Sequence, residues 1–367
     1  MKRGLVLFDS AEIAADEWRG RVAAVQRELA AGGIDVALIY GDVSRSDDIA
    51  YLTNLCVYWN EGILAVPAHG DPVFLTKLSP RVHPWMRLTS TVAEIRSGPG
   101  FAELVAKFLA PGGGGTVGLI EAELWPGAVA ADIRQALAGW DVRPLAGLVR
   151  GLRQVPSPAE VALLRRAAAS LAETAAGAAA PGLTDRERVA AAERGLRADG
   201  FLDVLADTAK TADGVTSVRI TGQYRYLWLH ASRLAATGTA AWPDLLRQAI
   251  AAAVAAAVPG AAAADLDGAA RPALDLLPAG ASSDVRWVHH ADMATNGEYA
   301  DYPSSLPIPA GSVVVVGIDV RFADGTHAAV AETVLATADG PVCLTREPGA
   351  AGAPGAAGAA SAGRQVR

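Results

Sequence analysis

Two cysteines, Cys56 and Cys343, are all that the 367-residue chain contains. They stand far apart and alone, which excludes a disulfide framework and a thiolate zinc site; each reads as a small buried hydrophobe. A basic stripe is also lacking. The net charge is −7, and without clustered Lys and Arg nucleic acid is not an expected partner. No apolar run is long enough to cross a bilayer. The most apolar helical stretch, "LLRQAIAAAVAAAVPG" (245–260), is mostly alanine, contains Arg247 and ends at a proline. The apolar run in "MKRGLVLFDSAEIAADEW" is short and has charges on both sides, unlike a secretory signal. A cytoplasmic protein with no membrane partner is expected. Histidine is scarce as well, with six in all, so the adjacent pair in "WVHHADMATNGEYADYP" (287–303) stands out.

The length allows two domains of ordinary size. The first 150 residues alternate helix and strand. A helical period over 16–33 stops at a glycine pair, "IDVALIY" reads as a buried strand, and "GILAVPA" and "PVFLT" read as a hairpin joined at "HGDP". A strand "VAEIR", a helix "FAELVAKFLA", a strand "TVGLIEA" and a helix over 127–139 follow. The glycines of "PGGGG" (111–115) precede a strand and no Lys-Ser/Thr, so they are not a phosphate loop. The segment 145–157 reads as a domain join. Beyond it come two alanine-rich helices, 157–180 and 184–199, the second capped by Thr184-Asp185. A strand pair "TSVRI" and "YRYLWLHASRLAAT", turning at Thr221-Gly222, leads to two more helices (241–258 and 262–277). The final strands are "SVVVVGIDV" (312–320) and "AVAETVL" (329–335). Each carries one acid, Asp319 and Glu332, and an acid in such a run needs compensation. The Gly/Ala/Pro/Ser tail, 348–367, is expected to be disordered.

This order resembles the pita-bread family of methionine aminopeptidase, prolidase, aminopeptidase P and creatinase, up to about residue 347. "RVAAVQRELAAGGIDVALIY…IAYLTNL…GILAVPAHGDPVFLT" is similar to the N-terminal domain of prolidases and creatinases, and "VRGLRQVPSPAEVALLRRAA" to the family's domain join. "PIPAGSVVVVGIDV" resembles "L-x-x-G-M-v-x-x-i-E-P", and "AETVLATADGPVCLT" resembles "E-D-t-v-l-V-t-x-x-G-x-e-x-L-T". The resemblance implies an α/β (α+β) protein. A creatinase/prolidase-like α/β domain (1–150) would be followed by a pita-bread domain with a curved antiparallel sheet (151–347).

The family's metallopeptidases hold two metal ions with two Asp, one His and two Glu. Carried over, His290 matches the metal histidine, with His289 beside it, Asp319 the first Glu and Glu332 the last. His230 takes the second Asp position, three residues before Arg233. The first Asp falls at Arg219 or Ile220, where an Arg would repel a metal. The family's second histidine falls near Gly297, before Glu298. The resemblance therefore implies a creatinase/Xaa-Pro peptidase-like hydrolase or lyase that cleaves a C–N bond in a small amide, amidine or amino-acid-like substrate, with the two-metal site largely lost. His290, His289 and Glu332 would be catalytic; Tyr224, Tyr226, Arg233 and Glu298 would bind substrate. One alternative is a one-metal enzyme holding Mn, Fe, Co or Zn on His230, His290, Asp319 and Glu332. Another is a non-catalytic pseudo-peptidase serving in binding or assembly. The partners implied are a small molecule or short peptide and a second copy of the chain.

Overall fold

The computed structural model describes residues 9–57, 60–110, 113–235, 240–292 and 306–346. The apolar runs of the first half form a mixed six-stranded sheet, in the order β4-β3-β2-β1-β5-β6. Its strands are β1 (Val36–Gly41), β2 (Gly62–Pro67), β3 (Val73–Thr76), β4 (Glu94–Ser97), β5 (Thr116–Ile120) and β6 (Asp141–Leu145). β1 and β2 are buried on both faces and pair antiparallel, as do β2 and β3; the outer pairings are parallel. Helices α1 (Ala15–Ala31), α2 (Asp47–Thr53), α3 (His83–Leu88), α4 (Phe101–Leu109), α5 (Gly127–Ala136) and α6 (Leu148–Arg153) complete this half. α1 buries Trp18, Arg21, Val25 and Leu29, spaced three, four and four residues apart on one stripe.

The second half opens with α7 (Pro158–Ala178) and α8 (Asp185–Ala198). Both start at capping boxes, Ser157 with Glu160 and Thr184 with Glu187. An antiparallel sheet follows, in the order β10-β11-β12-β9-β8-β7. It comprises β7 (Asp203–Lys210), β8 (Thr216–Tyr224), β9 (Leu227–Ala235), β10 (Ser282–His289), β11 (Val313–Arg321) and β12 (His327–Thr337), with β13 (Gly340–Cys343) paired to β12. Helices α9 (Trp242–Ala256) and α10 (Ala263–Leu274) pack on β10–β12, and α7 packs on β8 and β9. No described helix is long and apolar enough to cross a membrane.

The expected turn at Thr221-Gly222 is displaced. β8 runs on to Tyr224, and Arg225-Tyr226 forms the turn, with Arg225 left-handed at φ 57°. Gly222 lies inside the strand because a Cβ there would come within 2.6 Å of the Phe201 ring. The tail from 347 lies outside the described residues.

The domains are joined through buried polar contacts. Arg153 bonds Asp48 at 2.8 Å, with Asp47 at 3.6 Å and the Tyr226 carbonyl at 3.5 Å. Arg21 of α1 bonds the Tyr226 hydroxyl at 2.6 Å and the Tyr51 carbonyl at 2.9 Å, and pairs with Glu17 and Glu160. Ser157 links the two halves as well, through a 2.7 Å bond to Glu17. Replacing Ser157 with Ala should lower stability by about 1–2 kcal/mol, since it removes both the cap of α7 and this link. Urea denaturation of the two proteins checks this.

Candidate functional site

Alternation along the strands sorts the second sheet into two faces. In β9, Leu229 and Ala231 join the core under α7, while Trp228, His230 and Ser232 point the other way. The register carries that second face across the sheet. His230 pairs with Thr221 and Ser232 with Arg219 on β8; Ser232 pairs with Ala331 on β12. Ala331 then pairs with Gly317, Ala329 with Asp319, Gly317 with Arg286, and Asp319 with Asp284. The face turned away from the helices therefore carries His230, Arg219, Arg286 and Asp319 together.

His230 is the deepest of these, 3 % exposed, with Nδ1 2.8 Å from the Thr221 hydroxyl. Burial, and then the positive charges of Arg219, Arg233 and Arg286, push its pKa down to about 3, so the ring is neutral. Each arginine of the face is matched by an acid. Arg219 grips Asp207 of β7 through two bonds, 2.7 and 3.1 Å. Arg286 donates to Asp319 at 2.6 Å. Beside them Trp228, Val288, Val315 and Ala331 pack as a small apolar cluster. The N-terminal domain closes one end of the face, where Asp47 accepts from Trp228 Nε1 at 2.7 Å and Gln223 Nε2 at 2.6 Å.

Several expected site residues lie elsewhere. Glu332 pairs in register with Val316, which packs under the helices, so it is on the opposite face from Asp319. The motif explains why: when "Thr333-Val334-Leu335-Ala336-Thr337" is aligned with "t-v-l-V-t", Glu332 falls on the family's Asp and Ala331 on its Glu. One residue of slip reverses the face of a strand residue. Glu332 instead bonds Arg233 at 3.0 Å and Thr345 at 2.6 Å on the helix side. Burial raises its pKa, and Arg233 opposes the rise. Arg233 also donates to the carbonyls of Ser232, Ala331 and Thr345, a structural set of contacts and not a substrate grip.

Tyr224, Tyr226 and Trp228 do not share a strand face, because the turn falls between them. Tyr226 is buried edge-on to Trp18 and Tyr51, and Tyr224 packs on Phe201. Glu298 lies outside the described residues. His289 and His290 adjoin, with ring centroids 5.2 Å apart, but His289 lies on the helix-side register beside Val314. His290 starts a 3-10 turn and donates Nε2–H to the Arg153 carbonyl at 3.1 Å. Burial and then the charge of Arg153 lower the pKa of His289 to about 3; burial, His289 and Arg153 hold that of His290 well below 6.5.

These residues do not fit the two-metal centre that the fold family implies. The corresponding positions carry Arg219, His230, His290, Asp319 and Ala331, which supply one carboxylate, and Arg286 holds that one. The four-ligand set His230, His290, Asp319 and Glu332 is likewise divided between the two faces. Among the described residues, no three His, Cys, Asp or Glu side chains come together as metal ligands.

The Creatinase/Prolidase N-terminal domain family matches residues 21–155. Similar solved structures share the whole two-domain arrangement. An X-Pro aminopeptidase from Thermotoga maritima MSB8 is 16 % identical with a TM-score of 0.72, covering 89 % of this chain and 98 % of its own. The dipeptidase PepE from Mycobacterium ulcerans is 20 % identical with a TM-score of 0.66, covering 93 % and 98 %. A Xaa-Pro dipeptidase from Bacillus anthracis is 14 % identical with a TM-score of 0.69, covering 90 % and 98 %. No curated protein sequence matches the chain. The chain is thus a two-domain protein of the pita-bread fold, with a creatinase/prolidase N-terminal domain.

Sequence reasoning missed Arg286, Asp207 and Asp47 as members of this face. The alternation in "SDVRWV" was the available signal for Arg286, since Val285 and Trp287 mark the opposite side.

Unfolding frees three imidazoles with an ordinary pKa near 6.5 that are neutral in the fold. The unfolded chain binds more protons on acidification, so stability is fully present above pH 6.5 and falls between 6.5 and about 3. Each imidazole contributes up to about 1.4 kcal/mol per pH unit in that window. Chemical denaturation from pH 7 to 5 should show a shallower decline for His230→Asn than for the wild type. His290→Ala should cost about 1–3 kcal/mol at pH 7, because it orphans the Arg153 carbonyl.

Proposed function

We propose that the chain is a hydrolase-like relative of the Xaa-Pro peptidases that works without their two-metal chemistry. Its ligand is a small amide, amidine or amino-acid-like molecule bound on the sheet face that carries His230. One observation carries the reading: two arginines and a neutral histidine occupy the face where the family's metallopeptidases gather carboxylates. Arg219 and Arg286 can exchange their acids for the carboxylate of a ligand, in planar two-bond geometry. The neutral His230, its ring oriented by Thr221, can take a proton from a water whose oxygen bonds to the amide or amidine carbon, and return it to the nitrogen as the C–N bond breaks. The resemblance to creatinases and prolidases, which makes a homodimer expected, supports the same substrate class.

A second reading, a binding protein with no turnover, is favoured by the burial of His230 and by the apolar packing of Trp228 with Val288, Val315 and Ala331.

Melting temperature and turnover of Xaa-Pro dipeptides and small amides should be measured with and without Mn, Fe, Co and Zn. No metal should raise either quantity by more than its effect on an unrelated protein. Strong metal-stimulated Xaa-Pro cleavage would sink the proposal. His230→Asn separates the two readings: the first expects turnover to be lost while ligand binding persists, and the second expects no turnover in either protein. Arg219→Ala and Arg286→Ala should each weaken ligand binding about tenfold or more.

A further inference from the structure

The helix side of the second sheet holds a cavity of about 300 Å³, lined by α9, β9, β12 and the chain after β13. Its lining residues Arg233, Val330 and Glu332 alternate in the strands with those of the His230 face. Arg247, Ile250, Ala251 and Val254 come from one stripe of α9, and Leu234 and Val330 from the strands. Its walls are thus largely aliphatic. Its floor is the Arg233–Glu332 pair, closed at 3.0 Å, in which Glu332 is already engaged by Thr345. Arg233 is 8 % exposed, yet its Nε has no hydrogen-bond partner. The rim carries Arg247 and Arg346, both exposed. Of these three guanidinium groups, Arg233 is held by Glu332 and Arg247 by the exposed Asp244 at 2.5 Å, while Arg346 adds a further positive charge beside an apolar interior of the size that small ligands occupy.

We propose that this cavity is a second binding site, specific for a medium-chain monocarboxylate, separate from the face that carries His230. The chain packs along Ile250, Val254, Leu234 and Val330. The carboxylate meets Arg346 and Arg247 at the rim, replacing the exposed Asp244 on Arg247. A cationic head group of equal chain length is rejected by the same charges. Glu332 acts here as the internal counter-ion that holds Arg233 in the floor.

Titration calorimetry of the full chain with octanoate, hexanoate and octyltrimethylammonium tests this. Octanoate should bind saturably at one site per chain, hexanoate roughly tenfold more weakly for the loss of two methylenes, and the cation not at all. The double variant Arg247→Ala/Arg346→Ala alters only exposed side chains, so it should fold normally and lose at least tenfold in octanoate affinity. Val254→Trp should abolish binding by filling the cavity. Equal binding of the cation, absence of saturable octanoate binding, or unchanged affinity in the arginine double variant would overturn the assignment. Neither success nor failure depends on turnover at His230, which His230→Asn probes separately.

Discussion

Two buried guanidinium groups, those of Arg153 and Arg21, hold the two domains in register with each other, and Arg153 gathers the most elements. It ends α6, bonds Asp48 of α2, reaches the carbonyl of Tyr226 in the β8–β9 turn, and through its own carbonyl receives His290 from the end of β10. Burial alone would disfavour its charge; Asp48 and Asp47 more than offset this, so its pKa is raised. A cation in this position needs both domains around it. Neither half can present the same sheet face without the other, because Asp47, part of the same cluster, also caps Trp228 and Gln223 on that face.

The sheet then divides the chemistry of the second domain between two sides. One side holds a neutral imidazole between two acid-matched arginines. The other holds Arg233, Glu332 and an aliphatic cavity. Burial acts on both sides in the direction that removes charge, lowering the histidines and raising Glu332, with nearby guanidinium groups setting the extent. The electrostatics therefore follow from depth and strand parity more than from the number of charged residues.

Much of the fold could be read in the sequence, because its signals are local. The strand "VALIYG", the caps at Ser157 and Thr184 and the helices of the second domain sit where the patterns put them. Strands β6, β7, β10 and β13 escaped notice. β6 is an edge strand, exposed along most of its length, and "DVLADTAK" of β7 has few large apolar residues to mark it. The site was harder to read, because a motif match with one residue of freedom leaves the face of a strand residue undecided. Glu332 is the clearest case: it looked like a ligand in the string and proved to be the neighbour of the position that mattered, Ala331. The Tyr224–Tyr226–Trp228 pattern failed for a related reason, since a turn inside the run cancels its period.

The partition has a consequence for variation along β12. Val330, Glu332 and Val334 border the helix layer, and Ala329, Ala331 and Thr333 border the His230 side. A saturation map of this strand would not show one tolerant and one intolerant stretch. Tolerance would oscillate with a period of two, and the sign of selection on charge would alternate with it. Changes to the His230 face would thus be recorded in every other residue, while the intervening positions kept a separate history.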